Sequence, residues 1–207
     1  NLYYGLLRRS PHKWLDLYTL FQSHVLQDVD VLEVRYYTAP VLARMSDDTA
    51  SPQRQRTYLQ ALRKHAPSKV TIIEGKMIAA TPFSRLVHPI AEAPNIQKVQ
   101  VYSFEEKQSD VNMAVDMVVS ALTNACEQIV VCSNDSDLKA AFANIKQHSP
   151  HIKLGLVAPV KGEGARAISQ DLSQLADWAK ALSPVHLAKA QLPEKIYGTA
   201  IRKPNTW

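Results

Sequence analysis

Residues Ile129-Val130-Val131-Cys132-Ser133-Asn134-Asp135-Ser136-Asp137 pass abruptly from a β-branched apolar run into a polar cluster. A short run of this kind, ending in polar residues, reads as a buried strand that delivers its tip to a site. Two carboxylates, two hydroxyls and an amide at one strand tip are poor material for folding. They are good oxygen ligands for a hard divalent cation. A second acidic element, Glu105-Glu106-Lys107-Gln108-Ser109-Asp110, lies upstream at the end of another extended run.

On either side of these elements, helical and strand periodicities alternate. Residues 16–26 read as a helix with Asp16 as N-cap, and 29–38 as a strand. Residues 51–65 read as a helix opened by Ser51 and Pro52, with Tyr58, Leu59 and Leu62 on one face. Residues 70–73 and 76–79 read as extended. Pro82, Pro89 and Pro94 interrupt residues 80–97, which read as a surface excursion without regular elements. Residues 98–104 read as a strand. Residues 110–125 read as a helix whose broad apolar face carries Val111, Ala114, Val115, Val118, Val119 and Leu122. Then follow a strand over 128–132, a helix over 137–148, a strand over 152–158 and a last helix within 169–182. Strands alternating with helices predict an α/β fold with a mostly parallel central sheet and helices on both faces. In such folds ligands sit beyond the carboxyl ends of the strands, where both acidic elements fall.

The chain has 207 residues, 46% of them hydrophobic, enough for a sizeable core. No internal repeat or linker divides it, so one domain over residues 1–207 is expected, with 183–207 as a tail packing on the body. No apolar run approaches the ~20 residues that span a bilayer. The first five residues lack the features of a secretory leader. Cys126 and Cys132 read as reduced thiols, which fits a cytoplasmic setting. A net charge of +5 permits attraction to polyanions. Basic residues cluster at Arg8, Arg9 and Lys13; Arg54 and Arg56; Arg63, Lys64 and His65; and Arg202 and Lys203. They read either as solvated helix faces or as a phosphate-tracking surface around an acidic centre.

Phosphodiester hydrolysis needs an activated water and neutralisation of the charge developing on phosphate. Divalent ions held by carboxylates supply both. Asp110, Asp135 and Asp137 are the candidate metal ligands, and Mg²⁺ or Mn²⁺ the candidate ions. Each acid alone is also explained as a helix cap. Capping does not explain Ser133 to Asp137 as a set, because like charges packed together oppose folding without a cation. Asp116 lies about 120° from Asp110 around the helix and does not share its ion directly. The seven histidines show no zinc spacing, and no GxGxxG or Walker pattern is present; Lys161-Gly162-Glu163-Gly164 reads as a short turn. An aspartyl-phosphate mechanism would want a supporting lysine and a later acidic pair, which is not evident.

Three pieces resemble the motifs of the NYN family, a branch of the PIN-like nuclease superfamily. They are Asn1 to Gly5, Glu106 to Asp116, and Ser133 to Leu138. Gln191-Leu192-Pro193 and the closing Arg202 to Trp207 resemble the tail of bacterial members. The resemblance implies a PIN-like three-layer α/β/α sandwich and metal-dependent endoribonuclease chemistry. Asp110, Asp135 and Asp137 would hold or orient the metal and its water. Asn1, Lys107, Ser133 and Asn134 would support the site or the substrate. The implied partner is RNA, preferably single-stranded, with no membrane involved; a homodimer is compatible with it. The resemblance also implies a strand and a further aspartate ahead of Asn1. A module that binds RNA or protein on the same fold without cutting is the competing reading. Tyr3, Tyr4, Tyr36, Tyr37 and Trp14 read as core aromatics or as stacking platforms for bases.

Overall fold

The computed structural model describes residues 2–45, 48–160 and 167–206. Asn1, the Lys161-Gly164 turn and Trp207 lie outside the described residues. Asp16 caps the first helix as expected: its carboxylate accepts from the Thr19 backbone N–H at 3.1 Å and the Thr19 hydroxyl at 2.7 Å. The helix is α over Leu17–Thr19 (α1) and widens to a π-helical Leu20–Val25. The strand expected over 29–38 is confined to Val34–Thr38 (β1). Helix α2, Ser51–His65, has the expected bounds, but Ser51 is not its N-cap: Ala50 is, with no side-chain capping bond; Pro52 sits in the first turn, where its missing N–H is no loss. Tyr58, Leu59, Ala61 and Leu62 form its buried stripe, and the Tyr58 hydroxyl donates to the Leu15 carbonyl at 2.8 Å. Strand β2, Val70–Glu74, pairs in parallel with β1, from Val34↔Val70 to Thr38↔Glu74.

The extended runs expected over 76–79 and 98–104 are strands, and the excursion read between them carries one more, Phe83–Arg85, so that the whole forms a β arm. Strand β3 (Lys76–Ala80), β4 (Phe83–Arg85), β5 (Lys98–Gln100) and β6 (Ser103–Lys107) form two antiparallel ladders, β3 with β6 and β4 with β5. The three prolines are compatible with it because none stands inside a strand: Pro82 precedes β4, and Pro89 and Pro94 lie in the tip loop.

Helix α3 is Ser109–Leu122 and is followed by strand β7, Gln128–Val131. A 3₁₀ turn, Ser136–Leu138, leads into α4, Lys139–His148, and then β8, Lys153–Ala158. The last expected helix is only α5, Gln170–Ser173; a strand, β9 (Trp178–Ala181), takes the rest. Strands β7, β8 and β9 form one parallel sheet in that order. The spacing of Leu172, Leu175, Ala176 and Ala179 suits a helix, but pairing with β8 overrides that local preference. Gly155 on β8 registers directly with Trp178, and a Cβ there would intrude into the indole ring. Gly155→Ala is therefore expected to cost about 1–3 kcal/mol. Thermal unfolding followed by circular dichroism checks this as a fall in Tm of several degrees. A final helix, α6 (Pro184–Lys189), is capped by the Ser183 hydroxyl.

Helices and parallel strands alternate as expected, but the expected single central parallel sheet is not formed. The parallel strands divide into β1–β2 and β7–β8–β9. Each of β1 and β7 is paired on one side only. Between them opens a cleft of about 2530 Å³, lined by Val34 and Tyr36 from one sheet and Val130 and Cys132 from the other. Among the described residues, no strand bridges it.

Two apolar clusters hold the body together. One gathers Met117, Phe142, Ile145, Leu154 and Leu156 between α3, α4 and the β7–β8–β9 sheet. The other gathers Trp14, Leu20, Leu62 and Val157 with Leu187, Leu192 and Ile196 from the C-terminal tail. The tail is fixed by the Trp14 indole N–H, which donates to the Pro193 carbonyl at 2.9 Å. Helix α3 corrects the sequence reading of its apolar face. Met117 and Ala121 are buried, whereas Val111, Val115, Val119 and Leu122 are exposed. The helix is apolar nearly all round, so periodicity does not say which side is covered. Among the described residues, no helix is long and apolar enough to cross a membrane.

Candidate active site

Two chain reversals build the site. In the first, β6 ends at Lys107 and the backbone turns through Gln108, which holds a left-handed φ of 80°. That conformation is costly for a residue with a Cβ and persists only where its surroundings enforce it. Gly75 at the β2–β3 corner makes room for the turn: a Cβ there would run into the Lys107 carbonyl and Ser109. Ser109 is buried, and its hydroxyl donates to the Glu106 carboxylate. Asp110 then stands in the first turn of α3. The expectation that Asp110 caps this helix is not met: Gln108 is the N-cap, with no side-chain capping bond.

In the second reversal, β7 leaves the sheet through Cys132, Ser133 and Asn134. Ser133 and Asn134 are buried. The Ser133 hydroxyl accepts from the Asp135 N–H at 3.2 Å. The Asn134 amide donates to the Ala167 carbonyl at 3.0 Å and accepts from the Ser169 N–H at 2.7 Å. It therefore fixes the segment that leads to α5. The Asp135 carboxylate caps the 3₁₀ turn by accepting from the Asp137 N–H at 3.2 Å.

The reversals bring Glu106, Asp110, Ser133, Asn134 and Asp135 to one cleft. Asp137 is exposed, outside the cleft lining, in the same turn as Asp135. Lys107 is exposed and ion-paired to Glu105 at 2.6 Å. Burial holds the Asp110 carboxyl above the usual carboxylate range, reinforced by the negative charges of Asp135, Glu106 and Asp137. The positive end of a helix favours an anion at this position; here desolvation and like charge outweigh it. Among the described residues, no three His, Cys, Asp or Glu side chains are arranged around a single metal position. The donors nonetheless suit a hard cation. Mg²⁺ is commonly held by one or two carboxylates and keeps several waters. Glu106, read from sequence as part of the second acidic element but not as a candidate ligand, also lines the cleft. Its signal was present in the alternation of β6, which brings it two residues beyond Phe104 and within one turn of Asp110.

Ionised Asp110 is disfavoured in this fold. Its raised value means the destabilising contribution is absent below the ordinary carboxylate range and fully present above the raised value. At pH 7, Asp110→Asn is expected to raise Tm by about 1–2 °C, and the gain should vanish in an acidic melt. Calorimetry at the two pH values checks it.

Other polar groups are committed elsewhere. The Tyr37 hydroxyl donates to Asp116 at 2.7 Å, and Arg35 lies 3.9 Å from the same oxygen, so Asp116 fastens α3 to β1. Burial, then the bond to Asp116, raises the Tyr37 hydroxyl well above its ordinary range. Burial pushes the Cys132 thiol up to about 12, which keeps it protonated and unsuited to nucleophilic work. Most of the basic clusters are locally engaged: Arg54 with Asp48, Arg63 with Glu74, His65 with Asp16 and Lys203 with Glu194. Trp14 is core, while Tyr4 is exposed beneath the Arg8 guanidinium.

Residues 21–179 match the NYN domain, and the chain belongs to that family. The family has a nuclease-like fold and generally uses divalent metal ions. The chain is 31% identical, over 227 residues, to the 6-hydroxy-3-succinoylpyridine 3-monooxygenase HspA of Pseudomonas putida; the match covers 100% of this chain and 72% of the relative. A solved structure, of a Vibrio parahaemolyticus protein of unknown function, aligns with a TM-score of 0.48 at 19% identity. That alignment covers 86% of this chain and 82% of the other.

Proposed function

We propose that this chain is a metal-dependent ribonuclease that hydrolyses phosphodiester bonds in single-stranded RNA. The observation that carries the reading is the meeting of Glu106, Asp110 and Asp135 in one open cleft, where desolvation and then its neighbours' charge disfavour ionised Asp110. Such a cluster has no value for packing and is relieved by a cation. Asp110 and Asp135 would hold Mg²⁺ or Mn²⁺, with Asp137 at the rim orienting water. When bound, the ion supplies charge neutralisation at phosphate and lowers the pKa of a water. Ser109 holds Glu106 in place, and Ser133 and Asn134 keep the Asp135 turn rigid. A cytoplasmic setting belongs to the same reading.

The relative's name favours a second reading, monooxygenation of a hydroxylated pyridine, on the strength of 31% identity across this whole chain. One experiment separates the two. Labelled single-stranded RNA is incubated with the protein and Mn²⁺, Mg²⁺ or chelator. In parallel, oxygen uptake is followed with 6-hydroxy-3-succinoylpyridine and a reductant. Metal-dependent RNA cleavage without oxygen uptake supports the nuclease. Oxygen uptake without cleavage overturns it. RNA bound but uncut under every metal leaves a binding module on the same fold.

A further inference from the structure

The β arm of residues 76–107 carries charge and aromatic surface that its own folding does not explain. Among the described residues, its strands pair only with one another. At the β4–β5 ladder, Arg85 registers directly with Lys98. Like charges directly opposite each other destabilise an antiparallel pair. Among the described residues, neither meets a carboxylate. Lys76 registers with Lys107 at the arm's base, where Lys107 is drawn to Glu105. From residue 76 to residue 104 the sole acid is Glu92. Between the cation pairs stand Phe83, 69% exposed, and Tyr102, 70% exposed. Tyr102 stacks on Phe104 with the ring planes 15° apart.

We propose that this arm is a binding surface for single-stranded RNA and feeds the acidic cleft; the inference rests on the ribonuclease reading above. Phosphates answer the like-charge pair, and bases answer the open aromatic faces. This is the combination of cations and stacking platforms that grips a single strand without reading its sequence. A second copy docked through the same face would bring more positive charge to the same place and leave the Arg85–Lys98 repulsion unrelieved. The arm also leads somewhere. Its last strand runs into Glu106 and, through Gln108, into Asp110. Residues 98–107 span roughly 30 Å of extended chain, so a strand lying along them reaches the carboxylates.

The test is fluorescence anisotropy of a labelled oligouridylate with the full chain, in chelator so that nothing is cut, at several salt concentrations. The wild type should bind with a marked salt dependence. Phe83→Ala with Tyr102→Ala should weaken binding about 10-fold or more at unchanged salt slope. Arg85→Gln with Lys98→Gln should reduce the slope of log affinity against log salt by about 1.4. All four positions are exposed, and far-UV circular dichroism confirms that the variants fold. Wild-type affinity and slope in both variants would overturn the inference. So would a loss of dimer in the variants, seen by light scattering, with RNA binding intact, since the face would then join two copies. Wild-type protein that cuts RNA while both variants bind as tightly as it does refutes the arm alone. Wild-type protein that neither binds nor cuts refutes the ribonuclease reading itself.

Discussion

Asp135→Asn should abolish RNA cleavage, lowering the rate on the order of 100-fold or more, while the protein stays folded and still binds RNA. Asparagine keeps the shape and one acceptor oxygen. It can therefore still take the Asp137 N–H that Asp135 accepts at 3.2 Å, and the 3₁₀ turn before α4 survives. What disappears is the negative charge facing the cleft beside Asp110. The effects on stability and activity are thus separable. Activity should collapse, and the Asp110 carboxyl should relax toward its ordinary value because one neighbouring charge is gone. Gel-resolved cleavage beside a thermal melt checks both. A variant that cuts at the wild-type rate would remove Asp135 from the chemistry and leave it as a cap.

The largest loss of stability should come from Phe142→Ala. Phe142 is 0% exposed in the cluster that joins α4 to the β7–β8–β9 sheet. Removing a buried aromatic ring forfeits its transfer free energy and leaves a cavity, about 3–5 kcal/mol in all. For a domain of this size that corresponds to a fall in Tm of roughly 10 °C. Denaturant unfolding with an unchanged slope would assign the loss to the native core. A loss under 1 kcal/mol would mean that the cluster is loosely packed around this position.

Residues 129–137 were legible because the signals there are local. A β-branched run can hardly be anything but a strand, and Ser133 to Asp137 cannot be buried as a group. The span of helix α2 was legible, since Pro52 marks its start and Tyr58, Leu59 and Leu62 its face, but its cap was not: Ala50, not Ser51, is the N-cap. In the β arm, the runs at 76–79 and 98–104 were legible, but strand β4 and the antiparallel pairing were not, because prolines near strands look like breakers unless the ladder register is known. Strand β9 was hidden for a related reason: its pairing partner, β8, lies some twenty residues upstream, and nothing local reveals it. The open side of α3 was illegible because valines cover both faces of the helix. Asp110, Asp135 and Asp137 were named as candidates from sequence. Their unequal placement was not legible: Asp110 and Asp135 line the cleft, whereas Asp137 is exposed outside its lining. Glu106 and the Asn134 clasp depend on the left-handed turn at Gln108 and on contacts with residues 167–169, both of which arise only in the folded chain.

The central claim is that the carboxylates gathered at the end of β7 and the start of α3 work through a divalent ion on RNA. The most direct measurement is the rate of single-stranded RNA cleavage by the wild-type protein as Mn²⁺ is titrated in after complete chelation. The account predicts no cutting in chelator and a rate that rises to saturation with Mn²⁺. Cutting that proceeds undiminished in chelator, or no cutting at any Mn²⁺ concentration, would contradict it.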